Sequence, residues 1–146
     1  VAHRQELGDK LTALISGIPG VRPPARSSVS GNTYWFYALA VEEQVLGRSR
    51  EWFMSALNAE GVPCWGWLGK PLYLFEALLE QRTFGKSHHP FDSPAASRRI
   101  SYGPGLCPNA ERILREVIAL TVHEFYSEED IADIATAIRK VAAAAL

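Results

Sequence analysis

No stretch of this sequence approaches the roughly 18 consecutive apolar residues of a membrane-spanning helix. An excess of charge of either sign is also missing: 15 Lys and Arg stand against 16 Asp and Glu, a formal charge of −1. That balance argues against a domain held to nucleic acid by phosphate neutralisation. Cysteine is limited to Cys64 and Cys107, which form neither a disulfide framework nor a C-x-x-C pair. Both are expected to be free, buried thiols in a reducing cytoplasm. The motifs GxxxxGKS, GxxxxGKT, GxGxxG, GxSxG and HExxH do not occur. The start, Val1-Ala2-His3-Arg4-Gln5-Glu6-Leu7, has no initiator Met, no basic n-region and no apolar h-region. It reads like the middle of a helix, so a fragment without a signal peptide is expected.

What is present suffices for a folded core. A chain of 146 residues predicts one domain, which can bury roughly 68–70% of its unfolded surface. With 47% hydrophobic residues and little net charge, general disorder is excluded.

Leu7, Leu11, Leu14 and Ile15 place one apolar stripe on an opening helix, which Gly17 and Pro19 end. Segment 17–32 holds three Gly, three Pro and three Ser and reads as a connection. Thr33-Tyr34-Trp35-Phe36-Tyr37-Ala38-Leu39-Ala40 reads as a central strand covered on both faces. Ser49 caps a second helix with Trp52, Phe53, Ala56 and Leu57 as its buried stripe, stopped by Gly61 and Pro63. A short strand follows over 62–65. Pro71 starts a third helix through Leu72, Phe75, Leu78 and Leu79.

Residues 82–99 lack an apolar period and are expected to form a mobile or ligand-proximal loop. Pro108 opens a fourth helix with Ile113, Leu114 and Val117 on one side, and 118–122 is a compact strand. Ser127-Glu128-Glu129-Asp130 reads as an N-cap followed by acids that suit the helix dipole. Ile131, Ile134, Ala135, Ile138 and Val141 give that last helix its stripe, and the terminal alanines are expected to fray. The pattern predicts an α+β fold, a small three- to four-stranded sheet covered by helices.

Several residue groups invite a chemical reading. Trp65, Trp67 and Tyr73 cluster around Gly66, Gly69 and Lys70. Flat aromatic faces between glycines either wall a pocket for a sugar or ring, or form a core edge or interface plug. His123 follows a strand, where it acts as a general acid or base or only caps a carbonyl. His88 and His89, with Asp92 nearby, read as a polar loop and no metal site. Arg22, Arg98 and Arg99 either hold an anionic group or are simply solvated. Gly103-Pro104-Gly105 reads as a tight turn, since proline removes a donor that a phosphate cradle needs. The four lysines, Lys10, Lys70, Lys86 and Lys140, show none of the support a Schiff-base lysine requires.

Three segments together resemble the DegT/DnrJ/StrS sugar aminotransferases. Glu60-Gly61-Val62-Pro63-Cys64-Trp65 followed by Lys70-Pro71-Leu72-Tyr73 is similar to that family's "e-G-I … P-l-h" stretch. Tyr102-Gly103-Pro104-Gly105-Leu106-Cys107-Pro108-Asn109-Ala110-Glu111 resembles its "C/F-P-x-A-E" helix start. Ala119-Leu120-Thr121-Val122-His123-Glu124-Phe125-Tyr126-Ser127-Glu128-Glu129-Asp130 resembles its "L-P-x-H-x-x-x-T/S-x-E-D" terminus. Thr121 replaces a usual proline, Tyr73 a frequent histidine, and Trp65-Gly66-Trp67 a more polar stretch.

The resemblance implies a single domain over 1–146, equivalent to the small C-terminal domain of a pyridoxal-phosphate aminotransferase of fold type I. It implies that the large N-terminal domain, a partner in the same protein, supplies the Schiff-base lysine and the cofactor site, and that the active site lies in a homodimer. This chain alone would then hold no catalytic residue, bind no cofactor or metal and be inactive. The parent enzyme would be a cytoplasmic transaminase of aminosugar or antibiotic biosynthesis acting on a keto-sugar or keto-cyclitol with an amino donor. Trp65, Trp67, Lys70, Tyr73 and His123 are the expected substrate-facing residues. The alternative is a stand-alone, non-catalytic binding or dimerisation module with the same fold.

Overall fold

A computed structural model describes residues 1–26, 29–83, 85, 87–96 and 98–146. The chain divides into two compact units, Val1–Trp67 with Arg115–Leu146, and Leu68–Leu114.

The first unit is built on a four-stranded antiparallel sheet. In chain order its elements are α1 (Ala2–Ile15), β1 (Val21–Arg22), β2 (Tyr37–Val41), α2 (Glu43–Leu46), α3 (Arg50–Ala59), β3 (Cys64–Gly66), β4 (Val117–Leu120) and α6 (Glu128–Ala145). The strands lie in the order β1-β2-β4-β3, with Tyr37 opposite Leu120, and Cys64 opposite the same Leu120. Strand alternation then puts Val21, Tyr37, Leu39, Val41, Ile118 and Leu120 on one face. These join Leu7, Leu11, Ile15, Phe53, Leu57, Ile131 and Ile138 in one core. Burying side chains of this size contributes about 1.5–3 kcal/mol each before the entropy of ordering them is counted.

The helix ends follow from their sequences. Ser49 accepts a hydrogen bond from the Trp52 N–H at 3.2 Å. At the other end of α3, Gly61 has φ +84°, its N–H donates to Asn58 O and the Val62 N–H donates to Leu57 O. That pair of bonds is a Schellman stop, and it needs the left-handed residue that glycine supplies. Ser127 and Asp130 form a reciprocal capping box at the start of α6.

Within the core, Tyr37 is fully buried and its hydroxyl lies 2.8 Å from Thr12 Oγ1. Thr12 already donates its one proton to Gly8 O at 2.9 Å, so Tyr37 is the donor to Thr12. Burial pushes the Tyr37 phenol upward from its ordinary range.

Several expectations are corrected. The strand expected over 33–40 begins only at Tyr37, because Tyr34 adopts φ +46° and turns the chain. Connection 17–32 contains the edge strand β1, too short for an alternation to register, and its residues 27 and 28 lie outside the described residues. The strands expected over 62–65 and 118–122 each shift slightly, to Cys64–Gly66 and Val117–Leu120. The short α2 carries no strong apolar period and was not expected. Helix α6 runs to Ala145, with Val141 and Ala142 buried and Ala143 and Ala144 exposed.

In the second unit the helix expected from Pro71 is two pieces, a 3-10 turn at Leu72–Leu74 and α4 (Glu76–Leu79), separated by extended Phe75 at ψ 145°. Neither piece has a buried residue, so its apolar stripe supplies little to offset helix nucleation. The helix α5 (Pro108–Glu116) forms as expected but buries none of its residues, and Val117 belongs to β4 instead. Among the described residues of 82–99 there is neither helix nor strand, and Lys86 lies outside the described residues.

Candidate functional site

The second face of the sheet differs in kind from the first. Ala38, Ala40 and Ala119 lie on it with Trp65, which pairs with Ala119 across the strands. Alanines leave room for rings above the sheet, and Phe36 lies one residue before β2. Phe36 stacks on Trp67 with centroids 4.3 Å apart and planes at 23°. Trp35 lies 6.2 Å from Phe36 and is 77% exposed. The result is an aromatic shelf, with Trp65 and Trp67 each 41% exposed. Trp35 and Phe36 were missed as site candidates because they read as part of a buried strand. The repeating small residue at 38, 40 and 119 is the signal that points to them.

His123 occupies a different position. Strand β3 leaves the sheet at Gly66, beside Ile118 near the start of β4, whereas His123 follows the end of β4. Its Nδ1 accepts from the Phe125 N–H at 3.3 Å, which places the proton of the neutral ring on Nε2. This corrects the expected carbonyl cap, since the ring binds an amide. The ring contacts of His123 are Phe125 at 4.8 Å and Tyr126 at 6.4 Å, not the tryptophans. Beside it, the Arg4 guanidinium holds the Glu124 carboxyl down at about 2.

Lys70 and Tyr73 belong to the second unit. Lys70 Nζ sits 5.1 Å from the centre of the Phe75 ring, a cation–π contact at an exposed site. Tyr73 donates its hydroxyl proton to Glu111 and accepts from the Cys107 N–H at 3.2 Å. Glu111 also accepts from the Gly105 N–H at 2.6 Å. Partial burial, then the bond to Glu111, pushes the Tyr73 phenol upward. Its hydroxyl is thus engaged both ways in bracing a turn. That turn is the expected one: the Leu106 N–H bonds Gly103 O, Pro104 follows Gly103, and Gly105 has φ +87°, the type II pattern.

The remaining candidates resolve individually. Arg22 pairs with Glu42 at 3.1 Å and Glu116 at 2.9 Å, so its charge is balanced within the protein. His88 bonds through Nδ1 to the Gln81 carbonyl at 3.3 Å, and no group of metal-ligating residues occurs among those described. Cys64 is half-buried and pushed up to about 11 by burial, while Cys107 is exposed, contrary to the expected burial of both thiols. Exposure follows from its place in the turn just before α5. Asn58, overlooked in the sequence, bonds both the N–H and the carbonyl of Cys64 and so ties β3 to α3.

A Schiff-base lysine needs desolvation and a neighbouring acid for a pyridine nitrogen. Lys10 pairs with Glu128, Lys140 pairs with Glu60 at 2.6 Å, and Lys70 is exposed over Phe75. These three lysines do not fit pyridoxal phosphate.

Among the described residues no helix is long and apolar enough to cross a membrane. No family model matches the sequence, and no curated protein matches it. Solved structures do. DesV of S. venezuelae, in complex with a ketimine intermediate, matches with a TM-score of 0.74 and 18% identity over 97% of this chain and 31% of that one. The aminotransferase TlmJ from Streptoalloteichus hindustanus matches at 0.69 and 21% identity, over 99% of this chain and 32% of its own. A DegT DnrJ EryC1 StrS aminotransferase from Brucella abortus matches at 0.68 and 21% identity, over 95% and 30%. The chain therefore spans about a third of the length of the structures it matches. At these identities the likeness is one of fold, and the fold is the α+β arrangement of aminotransferase C-terminal domains.

Proposed function

We propose that residues 1–146 form the substrate-side C-terminal domain of a pyridoxal-phosphate-dependent aminotransferase acting on a keto-sugar or keto-cyclitol. The observation that carries this reading is the fold match over 99% of this chain to the aminotransferase TlmJ, which is about three times as long. On this reading a large domain of the same protein supplies the lysine and the cofactor, and the enzyme is a cytoplasmic homodimer. One structural neighbour, DesI, was solved in the presence of its TDP-sugar product, which favours a sugar substrate here.

The chain contributes orientation. The shelf of Trp35, Phe36 and Trp67, with Trp65 on the same sheet face, offers flat apolar surface against which a sugar ring can stack. His123, through its Nε2–H, and separately Lys70 in the second unit are each proposed as polar substrate contacts. The Tyr73 hydroxyl, already bonded twice, braces the turn at Gly105 within the second unit.

The test compares this chain with the product of the whole reading frame in a transamination assay on nucleotide-linked keto-sugars. The longer protein is expected to turn over with pyridoxal phosphate and the 146-residue chain is not. In the longer protein, Trp67→Ala is expected to raise KM for the amino acceptor. A frame that starts at Val1 with no cofactor domain overturns the reading in favour of a stand-alone module. Unchanged acceptor kinetics in Trp67→Ala removes the shelf from the site.

A further inference from the structure

Strand β3 carries Trp65 and leads directly to Trp67, yet it is three residues long and lies at the edge of the sheet. It pairs with β4 on one side, and no strand among the described residues lies on the other. An edge strand leaves a row of N–H and C=O groups that the sheet does not pair. At Cys64 the side chain of Asn58, in α3, meets that row. The Cys64 N–H donates to Asn58 Oδ1 at 3.3 Å, and Asn58 Nδ2 donates to the Cys64 carbonyl at 3.1 Å. A neighbouring strand would make the same pair of bonds. Asn58 Nδ2 also donates to the Met54 carbonyl at 2.8 Å, so the amide is itself fixed on its helix.

The other end of β3 rests on the same helix. A Cβ added to Gly66 would lie 3.3 Å from Nη2 of Arg50 and 3.4 Å from its Cζ and Nη1. Gly66 is not among the glycines of positive φ, so its backbone does not call for glycine and the space does. The guanidinium thus fills the place of a side chain at position 66. That place is on the face opposite the Trp65 ring, because successive residues of a strand alternate. Arg50 is held in turn: its Nε and Nη2 donate to Glu51 Oε1 at 3.0 and 2.6 Å, and its side chain is only 15% exposed. Arg50 and Asn58 stand roughly two turns apart on α3. The stop at Gly61 reverses the chain, which brings Cys64 beside Asn58 and Gly66 beside Arg50.

We propose that Asn58 and Arg50 are positioning residues for the aromatic shelf: α3 grips β3 at Cys64 and at Gly66, and so sets where Trp65 and Trp67 stand. The inference rests on the shelf being the stacking surface for the acceptor, as proposed above, and adds what holds that surface still. The acceptor binds in proportion to the share of molecules whose shelf is seated. Freeing one end of β3 lowers that share without removing any ring.

The test uses the product of the whole reading frame labelled with fluorotryptophan, each fluorine resonance being assigned by its loss in a single tryptophan-to-phenylalanine substitution. Trp67 reports the shelf through its stacking on Phe36, and Trp52, on α3 and packed against the core, reports whether the helix is intact. In N58A the Trp67 resonance is expected to move towards its position in the unfolded protein while that of Trp52 stays. KM for the keto-sugar acceptor is expected to rise roughly two- to tenfold, the scale of a lost hydrogen bond, with a smaller change in kcat. R50A is expected to move the same Trp67 resonance, and it carries the comparison alone if N58A does not fold. An unmoved Trp67 resonance in the folded variants, or a Trp52 resonance that moves as far as that of Trp67 in N58A, overturns the proposal. The two readings fail separately. If Trp67→Ala raises KM but N58A and R50A leave the Trp67 resonance in place, the substrate reading stands and the positioning role is overturned. A moved resonance beside unchanged acceptor kinetics in Trp67→Ala supports the grip of α3 on β3 and removes the shelf from the site.

Discussion

A Cβ added to Gly8 would fall 2.4 Å from the ring of Tyr34. The glycine in α1 is therefore the seat of an aromatic side chain 26 positions later in the chain. Tyr34 is held there by its hydroxyl bond to Asp9 at 2.7 Å and by stacking on Tyr37 at 5.6 Å. Its φ of +46° is costly for a bulky residue and persists because these contacts determine it together.

Gly8→Ala is accordingly expected to destabilise the protein. Overpacking costs about 1–3 kcal/mol, against a helix-propensity gain of up to about 1 kcal/mol from replacing glycine. In a Tyr34→Ala background the same change is expected to be neutral or stabilising, since the ring is gone. Thermal melts of the four proteins in this cycle measure the coupling. A Gly8→Ala penalty that persists without the ring removes the explanation.

Acid is expected to weaken the Arg4–Glu124 link in a defined window. Folding lowers the Glu124 pKa from 4.5 to about 2, chiefly through the hydrogen bond from Arg4. A carboxylate depressed in the folded state stabilises above its unfolded pKa and loses that contribution as pH falls through its folded pKa. Wild type and Glu124→Gln should therefore differ above about pH 4.5 and converge towards pH 2. Denaturant midpoints across that range provide the check, and a gap constant down to about pH 2 contradicts the assignment.

The two thiols should react at very different rates. Cys64 is half-buried, accepts a bond from Asn58 and is pushed up to about 11 by burial, so little thiolate exists near neutrality. Cys107 is exposed. Alkylation of the folded protein with iodoacetamide should label Cys107 first, and Cys107→Ser should leave only a slow thiol. Equal labelling of both positions in the native state is the contrary result.

Tyr73 and Glu111 are expected to brace the turn before α5 unequally. Glu111 holds the Gly105 amide directly, while Tyr73 holds that of Cys107. Tyr73→Phe should release the Cys107 amide to hydrogen exchange and leave Gly105 more protected than it is in Glu111→Ala. If both variants leave both amides unchanged, the brace has no energetic role.

What the sequence disclosed and what it concealed follow the range of the interactions. The capping box at Ser127, the stop at Gly61 and the stripe from Ile131 to Val141 are encoded within one or two turns, and all are present. The broken helix after Pro71 was hidden because an apolar stripe does not state whether a core awaits it. Tyr34 was hidden for the same reason, as its backbone depends on a glycine in another element. Among the candidate site residues, Trp65 and Trp67 were visible by composition. Their neighbour Phe36 and the double engagement of Tyr73 both emerged only from three-dimensional contact.

The pairing of β2 with β4 has a consequence for how the molecule is made. Tyr37 finds Leu120 across 83 intervening steps of chain, and α1 packs on α6 near the opposite terminus. A ribosome must therefore release the chain through Leu120 before the middle of the sheet can close. Until then α1 has no partner for its leucines, and such long-range closure is slow. Shortening the chain from its C-terminus should not trim the fold by degrees. It should remove the one event that all the earlier elements await.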